Sequence, residues 1–410
     1  MLKTAVVTAR GAARIRGGHP WVFRQDVMSG PTTDAATGGP SLVSVRDGRG
    51  KPLAIATWAA TAKLALRVVT TGDGGPSSNS GSNSNSDSDD LLSLVTRRLD
   101  AALARRAGMH LGRDAYRVAH GESDGLPGLF VDRYADAAVI QTTSVAMDAA
   151  RAPLSKLVAE RLRARVVVAR DDSSMRDFEG LPRFAGIVAG GGATEVVYRL
   201  GENTLGADLL TDGKTGGFLD QADNHAAVAA LAPQGATALD AFTYHGGFAL
   251  ALARRGGAVL ATDEDADAVA RATANATRNR LANLEVRQAN AFDLLRTLES
   301  QRARFDVVVL DPPALAKRGG SGASLTAADR GYKELILRGA RLTSPGGLLV
   351  ACSCSGRVTR AHWDELCADA VADSGRTAQI IARHGASQDH PELCGVPETG
   401  HLKTWILRVL

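Results

Sequence analysis

The sequence has few cysteines and aromatic residues and no long apolar run. Its four cysteines lie within the last sixty residues, and neither C-x-x-C nor a zinc-type histidine pair occurs. We therefore expect no disulfide framework and no metal site. No stretch reaches eighteen apolar residues, and the N-terminus has neither a signal-peptide core nor a lipidation motif. These absences predict a cytoplasmic protein without a membrane partner.

Charge is nearly balanced over the 410 residues, with a formal net charge of +4, but it is unevenly distributed. Residues 1–71 contain ten Lys and Arg against three Asp, a local net charge of +7. Concentrated positive charge is typical of nucleic-acid-binding segments, although a solvated basic face explains it equally well. Charge alone does not decide between the two.

Residues 1–71 alternate short apolar runs with Gly and Pro turns, which predicts a small β-rich, barrel-type domain. Within it, residues 14–23 read R-I-R-G-G-H-P-W-V-F. Two arginines can contact phosphates, and an aromatic ring can either stack on a base or pack in the core. The candidate RNA-binding residues are Arg14, Arg16, His19 and Trp21.

Residues 72–90 are rich in Ser, Asn, Gly and Asp and contain no apolar side chain that could be buried in a core. We therefore interpret them as a flexible linker. Residues 91–200 show helical spacing from Leu91 to Gly108, a helix near 147–163 and several short apolar runs. This pattern predicts a mixed α/β middle domain. Residues 201–410 form the last predicted domain.

The last domain is organised around residues 238–263, A-L-D-A-F-T-Y-H-G-G-F-A-L-A-L-A-R-R-G-G-A-V-L-A-T-D. The pattern predicts a strand ending at Asp240, a turn with Gly246 and Gly247, a helix, and a strand ending at Asp263. In open α/β sheets, ligands bind beyond the carboxyl ends of the strands, and an acid there can hold a ribose diol. A nucleoside-type pocket is predicted.

The turn lacks the G-x-G-x-x-G pattern that admits a pyrophosphate, so NAD is disfavoured. S-adenosylmethionine has no phosphate and carries a sulfonium, and Asp240 and Asp263 suit it better. An ordinary glycine turn without a ligand is the alternative.

The αβ alternation continues to the end of the chain. Four predicted strands finish at polar or reactive groups, namely Asp240, Asp263, Asp311 and Cys354. Each could be a turn former by itself, but all four at strand ends indicate a site.

The sequence resembles the bacterial class I S-adenosylmethionine-dependent 23S ribosomal RNA cytosine-C5 methyltransferases that carry an N-terminal PUA domain. The resemblance covers nearly the whole chain. It is carried by these motifs: R-G-G-H-P-W-V-F at 16–23, H-G-E-S-D-G-L-P-G-L at 120–129, D-R-Y at 132–134, K-T-G-G-F-L-D-Q at 214–221, F-T-Y-H-G-G-F at 242–248, L-D-P-P at 310–313, R-G-Y-K at 330–333, C-S-C-S-G at 352–356 and D-H-P at 389–391.

The resemblance implies a seven-stranded Rossmann-like methyltransferase domain, preceded by a PUA-like barrel and a middle domain that shapes the RNA groove. It implies that S-adenosylmethionine is bound by these residues: Gln221, Asp240, Tyr244, Gly246, Asp263, Asn290 and Asp311. The sequence departs from the family pattern in two motifs. Asn290 stands where the family usually has Asp, and residues 220–225 read D-Q-A-D-N-H instead of D-Q-R-x-N-R.

Methylation at C5 of cytosine calls for a thiolate that adds at C6. The resemblance implies that Cys354 is this nucleophile, with Cys352 as the alternative, and that Asp311 holds or protonates N3. For Cys367 and Cys394 we expect buried packing roles.

Two other functions stay open. Asp-Pro-Pro also occurs in enzymes that methylate a base nitrogen, but those usually place an aromatic residue next, where this chain has Ala314. A ribosome-binding protein without catalysis is the second. The sequence leaves the oligomeric state open between monomer and homodimer.

Overall fold

A computed structural model describes residues 2–31, 42–72, 91–109, 112–315 and 322–410. The expected linker at 72–90, apart from Gly72, lies outside the described residues.

The N-terminal segment contains a six-stranded sheet in the order β2-β6-β5-β4-β1-β3. Its core holds Val7, Val22 and Leu66 among other buried apolar side chains. The strands are β1 (Lys3–Val7), β2 (Trp21–Phe23), β3 (Val27–Ser29), β4 (Leu42–Asp47), β5 (Pro52–Trp58) and β6 (Leu64–Thr71).

A helix that the sequence did not predict, α1 (Ala9–Arg16), lies between β1 and β2. The Thr8 hydroxyl caps the helix by accepting a hydrogen bond from the Gly11 amide. Ile15 lies on the buried face of the helix. No element was predicted from the sequence for these eight residues, and burial of one face, with Gly11, Ala12 and Ile15, stabilises the helix.

The middle segment contains a five-stranded sheet in the order β11-β10-β9-β8-β7. Its elements are α2 (Leu91–Ala107), β7 (Ala115–His120), β8 (Leu129–Tyr134), β9 (Ala137–Thr142), α3 (Val145–Ala149), α4 (Arg151–Leu162), β10 (Val166–Asp171) and β11 (Phe184–Gly190). The single helix expected near 147–163 is two helices. Pro153 lies in the first turn of α4, where its missing N–H costs no helical bond.

A two-stranded sheet of β12 (Glu195–Leu200) and β13 (Asn203–Asp208) follows.

The C-terminal segment contains a seven-stranded sheet in the order β16-β15-β14-β17-β18-β20-β19. The first five strands in that order are parallel, and β20 runs antiparallel to both of its neighbours. The strands are β14 (Ala238–Asp240), β15 (Val259–Asp263), β16 (Leu284–Gln288), β17 (Phe305–Leu310), β18 (Thr343–Ser353), β19 (Ala378–His384) and β20 (Lys403–Val409).

The helices that accompany this sheet are α5 (Ala222–Leu231), α6 (Gly247–Ala253), α7 (Ala266–Arg278), α8 (Ala291–Ser300), α9 (Gly322–Leu342) and α10 (Arg360–Asp373). Their apolar faces and the sheet enclose a core that includes Leu310, Trp363 and Trp405. The predicted fold class, a Rossmann-like seven-stranded domain preceded by a small β domain and a mixed α/β segment, is confirmed.

The chain divides into two compact units. The first comprises 1–196, 208–216 and 391–399, and the second comprises 197–207, 217–390 and 400–410. No helix in the described residues is long and apolar enough to cross a membrane.

Candidate active site

Four strands of the seven-stranded sheet bring their carboxyl ends to one edge. Asp240 and Asp263 end β14 and β15, Asp311 follows β17, and Cys354 follows β18. Because these strands are parallel and adjacent in the order β15-β14-β17-β18, the four residues occupy the same edge. The loops after these strands and after β16 supply Tyr244, Gly246 and Asn290, whereas Gln221 directly precedes α5.

Asp240 is the most deeply buried acid at this edge, with 0% of its surface exposed. Its Oδ2 accepts hydrogen bonds from the Thr243 hydroxyl (2.8 Å) and the Ala249 amide (3.1 Å). Its Oδ1 is buried and has no hydrogen-bond partner among the described residues. Burial, with a smaller contribution from the carboxylates of Asp311 and Asp263, raises the pKa of Asp240 to about 7. An unpartnered buried acceptor of this kind fits a cationic ligand.

The turn after β14 has an unusual backbone conformation. Tyr244 has a φ of +48° and Gly246 a φ of +92°. A left-handed backbone conformation is costly for tyrosine. A hydrogen bond from the Tyr244 amide to Oδ2 of Asp263 (2.9 Å) stabilises this conformation. The Tyr244 ring stacks on His245, with ring centroids 3.7 Å apart. Burial lowers the pKa of His245 to about 3, so this ring is neutral.

Gly247 begins α6 and cannot carry a side chain without rearrangement. A Cβ at this position would lie 2.3 Å from a ring carbon of His225. His225 stands where the resembling family usually has arginine, and it packs edge-on against Phe248 with centroids 4.5 Å apart. The altered motif at 220–225 therefore provides packing for the turn.

Asp263 and Asn290 lie at neighbouring strand ends. Oδ1 of Asp263 accepts from the amide of Asp265 (3.1 Å), which leaves each carboxylate oxygen able to accept one more bond. Asn290 caps α8, accepting from the amides of Phe292 (3.1 Å) and Asp293 (3.4 Å). Its Nδ2 donates to Glu264 (3.0 Å), so the amide is already engaged on both sides.

Gln221 holds Asp311 in place. Its Nε2 donates to Oδ2 of Asp311 (2.9 Å), and its Oε1 accepts from Nδ2 of Asn224 (2.6 Å). Asn224 also donates to the carbonyl of Gly385 (3.0 Å) and the hydroxyl of Thr404 (3.2 Å). This network fixes the side-chain orientation of a carboxylate that is itself partly exposed.

The cysteines differ sharply in environment. Cys352 is buried, and its thiol donates to the Thr404 hydroxyl (3.4 Å). Burial, with a contribution from Asp311, raises the pKa of Cys352 well above its ordinary value. Cys354 is partly exposed at the same strand end. Cys367 is buried in α10 as expected, but the buried role expected for Cys394 is wrong, because a loop leaves it exposed.

Two buried residues beside the strand ends had no role predicted from the sequence. Tyr332, in the R-G-Y-K motif, receives hydrogen bonds from the amide of Leu315 (3.4 Å) and the hydroxyl of Ser353 (3.2 Å). Lys403 donates to backbone carbonyls after Cys354. The motif was a usable signal for Tyr332, whereas Lys403 lies in a strand that no motif marked.

The four candidate RNA-binding residues lie together in the first unit, at the end of α1 and the start of β2. Arg16 is half exposed and pairs with Asp47 (2.7 Å), while Arg14 stacks over the Phe23 ring, 5.0 Å from its centroid. The His19 ring meets Trp21 edge-on, with centroids 5.6 Å apart. Burial and then the charge of Arg14 lower the pKa of His19.

Trp21 is anchored in the same unit. Its indole N–H donates to Glu122 (2.9 Å), within the H-G-E-S-D-G turn. Arg67 donates to Glu122 (2.7 Å) and Glu179 (2.8 Å), and all three of these side chains are at most 7% exposed. Part of the motif at 16–23 therefore serves the attachment of the six-stranded sheet to the middle segment.

Two families match the sequence. The family described as "Methyltransferase domain" matches residues 233–394, and the family described as "PUA-like domain" matches residues 5–71.

Curated relatives match nearly the whole chain. Ribosomal RNA large subunit methyltransferase I of Aeromonas hydrophila is 34% identical over 400 residues, covering 95% of each chain. The protein of the same name from Tolumonas auensis is 33% identical, covering 96% of each chain. Among solved structures, SMU.776 in complex with S-adenosylhomocysteine has a TM-score of 0.78 at 16% identity over 100% of both chains. The likeness to this structure concerns the fold.

Proposed function

Since the chain belongs to the ribosomal RNA large subunit methyltransferase I family, we propose that it methylates C5 of a cytosine in 23S ribosomal RNA through a covalent cysteine adduct. The chain is an S-adenosylmethionine-dependent methyltransferase that acts on ribosomal RNA of the large subunit. The contrast between Cys352 and Cys354 is the observation that carries the finer proposal.

The residues at the strand ends fit the cofactor. The unpartnered Oδ1 of Asp240 and the neighbouring acids create a negative site that suits a sulfonium and an ammonium group. Asp263 has acceptor capacity for the ribose hydroxyls, and Tyr244 and Gly246 shape the turn beside it. We propose that Asn290 would lie beside the adenine and that Gln221 would contact the cofactor next to Asp311. When bound, S-adenosylmethionine supplies the methyl group.

Cys354 is the better nucleophile of the two cysteines at the end of β18. A thiolate is required, and burial keeps Cys352 in its neutral thiol form at neutral pH. Cys354 lies two residues further along the chain and is partly exposed. This difference supports Cys354.

The chemistry follows from the electron distribution in cytosine. The Cys354 thiolate adds to C6, and the C5=C6 electron pair makes C5 nucleophilic enough to take a methyl group. In this proposal Asp311, held by Gln221, donates its carboxyl proton to N3 as negative charge develops there and takes the proton back when the C5=C6 bond re-forms. A base then removes the C5 proton, the C5=C6 bond re-forms, and the thiolate of Cys354 leaves.

RNA binding is assigned to the N-terminal segment. The PUA-like match, the local charge of +7 and the grouping of Arg14, Arg16, His19 and Trp21 support this role. We propose the division 1–71 for RNA binding, 91–200 for the RNA groove and 201–410 for catalysis.

Covalent trapping tests the proposal. Ribosomal RNA that carries 5-fluorocytosine at the target has no C5 proton to lose, so the adduct should accumulate on the wild-type protein. The adduct should be absent in Cys354→Ala and present in Cys352→Ala, its matched control. Trapping by Cys354→Ala but not by Cys352→Ala would move the nucleophile to Cys352, and no trapping by the wild type would reject the C5 mechanism.

A further inference from the structure

Lys403 is a buried lysine beside the nucleophilic turn. It begins β20, pairs in register with Ser353 on β18, and is 1% exposed. Lysine is rarely buried completely, because its ammonium must be removed from water. The groups that the Lys403 ammonium contacts therefore indicate its role.

The Lys403 ammonium donates to three backbone carbonyls. Nζ lies 2.6 Å from the oxygen of Ser355, 2.8 Å from that of Val358 and 2.9 Å from that of His401. An ammonium has three N–H groups, one for each of these carbonyls. Charge-assisted bonds of this length are stronger than bonds between neutral groups.

Two of these carbonyls belong to the turn that follows Cys354. Neutral bonds within the turn are longer: the Val358 amide donates to the Ser355 carbonyl at 3.3 Å, and the Ser355 amide donates to the Ser353 hydroxyl at 3.4 Å. Lys403 thus provides the short contacts that fasten Ser355 and Val358 to β20. An apolar side chain in its place would remove one donor from each carbonyl and leave that of Ser355 with the longer bond from the Val358 amide.

We propose that Lys403 is a positioning residue for the nucleophile, which fixes the turn from Ser355 to Val358 so that the Cys354 sulfur is directed at C6 of the base. This inference rests on the proposed function. A nucleophile must lie at near-contact distance from the reacting carbon, and a displacement of about 1 Å can cost roughly a hundredfold in rate. The cofactor acids Asp240 and Asp263 lie on other strands, so the effect should be confined to the thiol chemistry.

Steady-state kinetics of Lys403→Met test the proposal. We expect kcat to fall at least about tenfold, while KM for S-adenosylmethionine and for RNA stays within about twofold. The adduct with 5-fluorocytosine RNA should form more slowly by the same factor. Calorimetry should give unchanged affinity for S-adenosylhomocysteine.

Lys333→Met is the matched control, because the Lys333 ammonium pairs with Asp373 at the surface of α9. It should leave kcat unchanged. If Lys403→Met does not fold, Lys403→Arg carries the test, since its planar guanidinium keeps the charge but cannot direct three N–H groups from one nitrogen. A folded Lys403 variant with wild-type kcat, or one that loses cofactor affinity to the same extent, would overturn the inference. A wild-type protein that forms no adduct would instead count against the proposed function.

Discussion

Asp240 shows how one residue can tie ligand binding to pH. It is fully buried, and burial outweighs the two hydrogen bonds from Thr243 and Ala249, so its pKa rises to about 7. The ordinary value for aspartate is about 3.9. Near neutrality the carboxyl is therefore divided between its two protonation states before the cofactor binds.

We predict that affinity for S-adenosylmethionine increases with pH through neutrality. The carboxylate form attracts a cationic ligand, and at pH 6 only about one in ten molecules with a pKa of about 7 holds that form. Affinity should consequently be roughly tenfold weaker at pH 6 than at pH 8. Calorimetry in buffers of different ionisation enthalpy should also detect proton release on binding. In Asp240→Asn, binding should be weaker and insensitive to pH over this range, and an equal pH dependence in that variant would refute the assignment.

The same group makes stability depend on pH in the opposite sense from a salt-bridged acid. The unfolded chain loses the Asp240 proton near pH 4 and the folded protein near pH 7. Between these values the unfolded state binds fewer protons, so this group lowers the free energy of unfolding as pH rises. In the ligand-free protein this decrease in the free energy of unfolding ends above about pH 7, because Asp240 is then deprotonated in both states.

At the scale of elements, the active site depends on how two strand-end loops are held together. Tyr332 in α9 is 1% exposed, and its hydroxyl receives bonds from the Asp311 loop, through the amide of Leu315, and from Ser353 next to Cys354. Its ring packs edge-on against Trp363, with centroids 5.1 Å apart. Burial raises the pKa of the Tyr332 phenol, so it stays neutral.

Tyr332→Phe should lower kcat by about three- to tenfold, because it removes one hydroxyl that bridges the two loops and net hydrogen bonds contribute about 0.5–1.5 kcal/mol each. KM for both substrates should change little, since the cofactor acids lie on β14 and β15. Steady-state kinetics measure both quantities. Phe keeps the ring contact with Trp363, so the melting temperature should remain close to that of the wild type. An unchanged kcat would show that packing alone sets the loop geometry.

At the scale of the whole molecule, the uneven charge and the buried ion pairs act together. Residues 1–71 carry a net charge of +7, yet Arg67 from this segment is committed to Glu122 and Glu179. Deleting the segment would remove this cation together with the surface that covers the two carboxylates, so a change in RNA binding would be mixed with a change in the middle segment. Single substitutions at the exposed arginines are therefore the sharper test of RNA binding.

Affinity for ribosomal RNA should fall steeply with salt, because phosphate contacts release counterions. Arg16→Gln should weaken binding and reduce the slope of log K against log salt by about one. Arg296→Gln is the matched control, since the Arg296 side chain is 50% exposed and pairs with Glu334, much as the 53% exposed Arg16 pairs with Asp47. Filter binding at several salt concentrations measures the slopes. Equal slopes for the two variants would assign Arg16 to a solvated surface.

Sequence patterns were sufficient for the strand ends of the catalytic sheet. Asp311 follows a continuous apolar run, and Asp240 and Asp263 end short, mainly apolar strands, which is the pattern that buried parallel strands produce. The patterns did not predict α1, since its eight residues show too few turns for a clear helical period. They also did not separate α3 from α4.

The sequence by itself determined which residue types end the strands and which motifs join them into a family, because both are properties of local order along the chain. Only the tertiary structure decided which of two nearly adjacent cysteines is buried, since exposure depends on β20 and its Thr404 beside Cys352. It also decided that Lys403 meets Ser355, 48 residues away along the chain. Contacts between distant segments arise from sheet register, and register is fixed by packing of the whole domain.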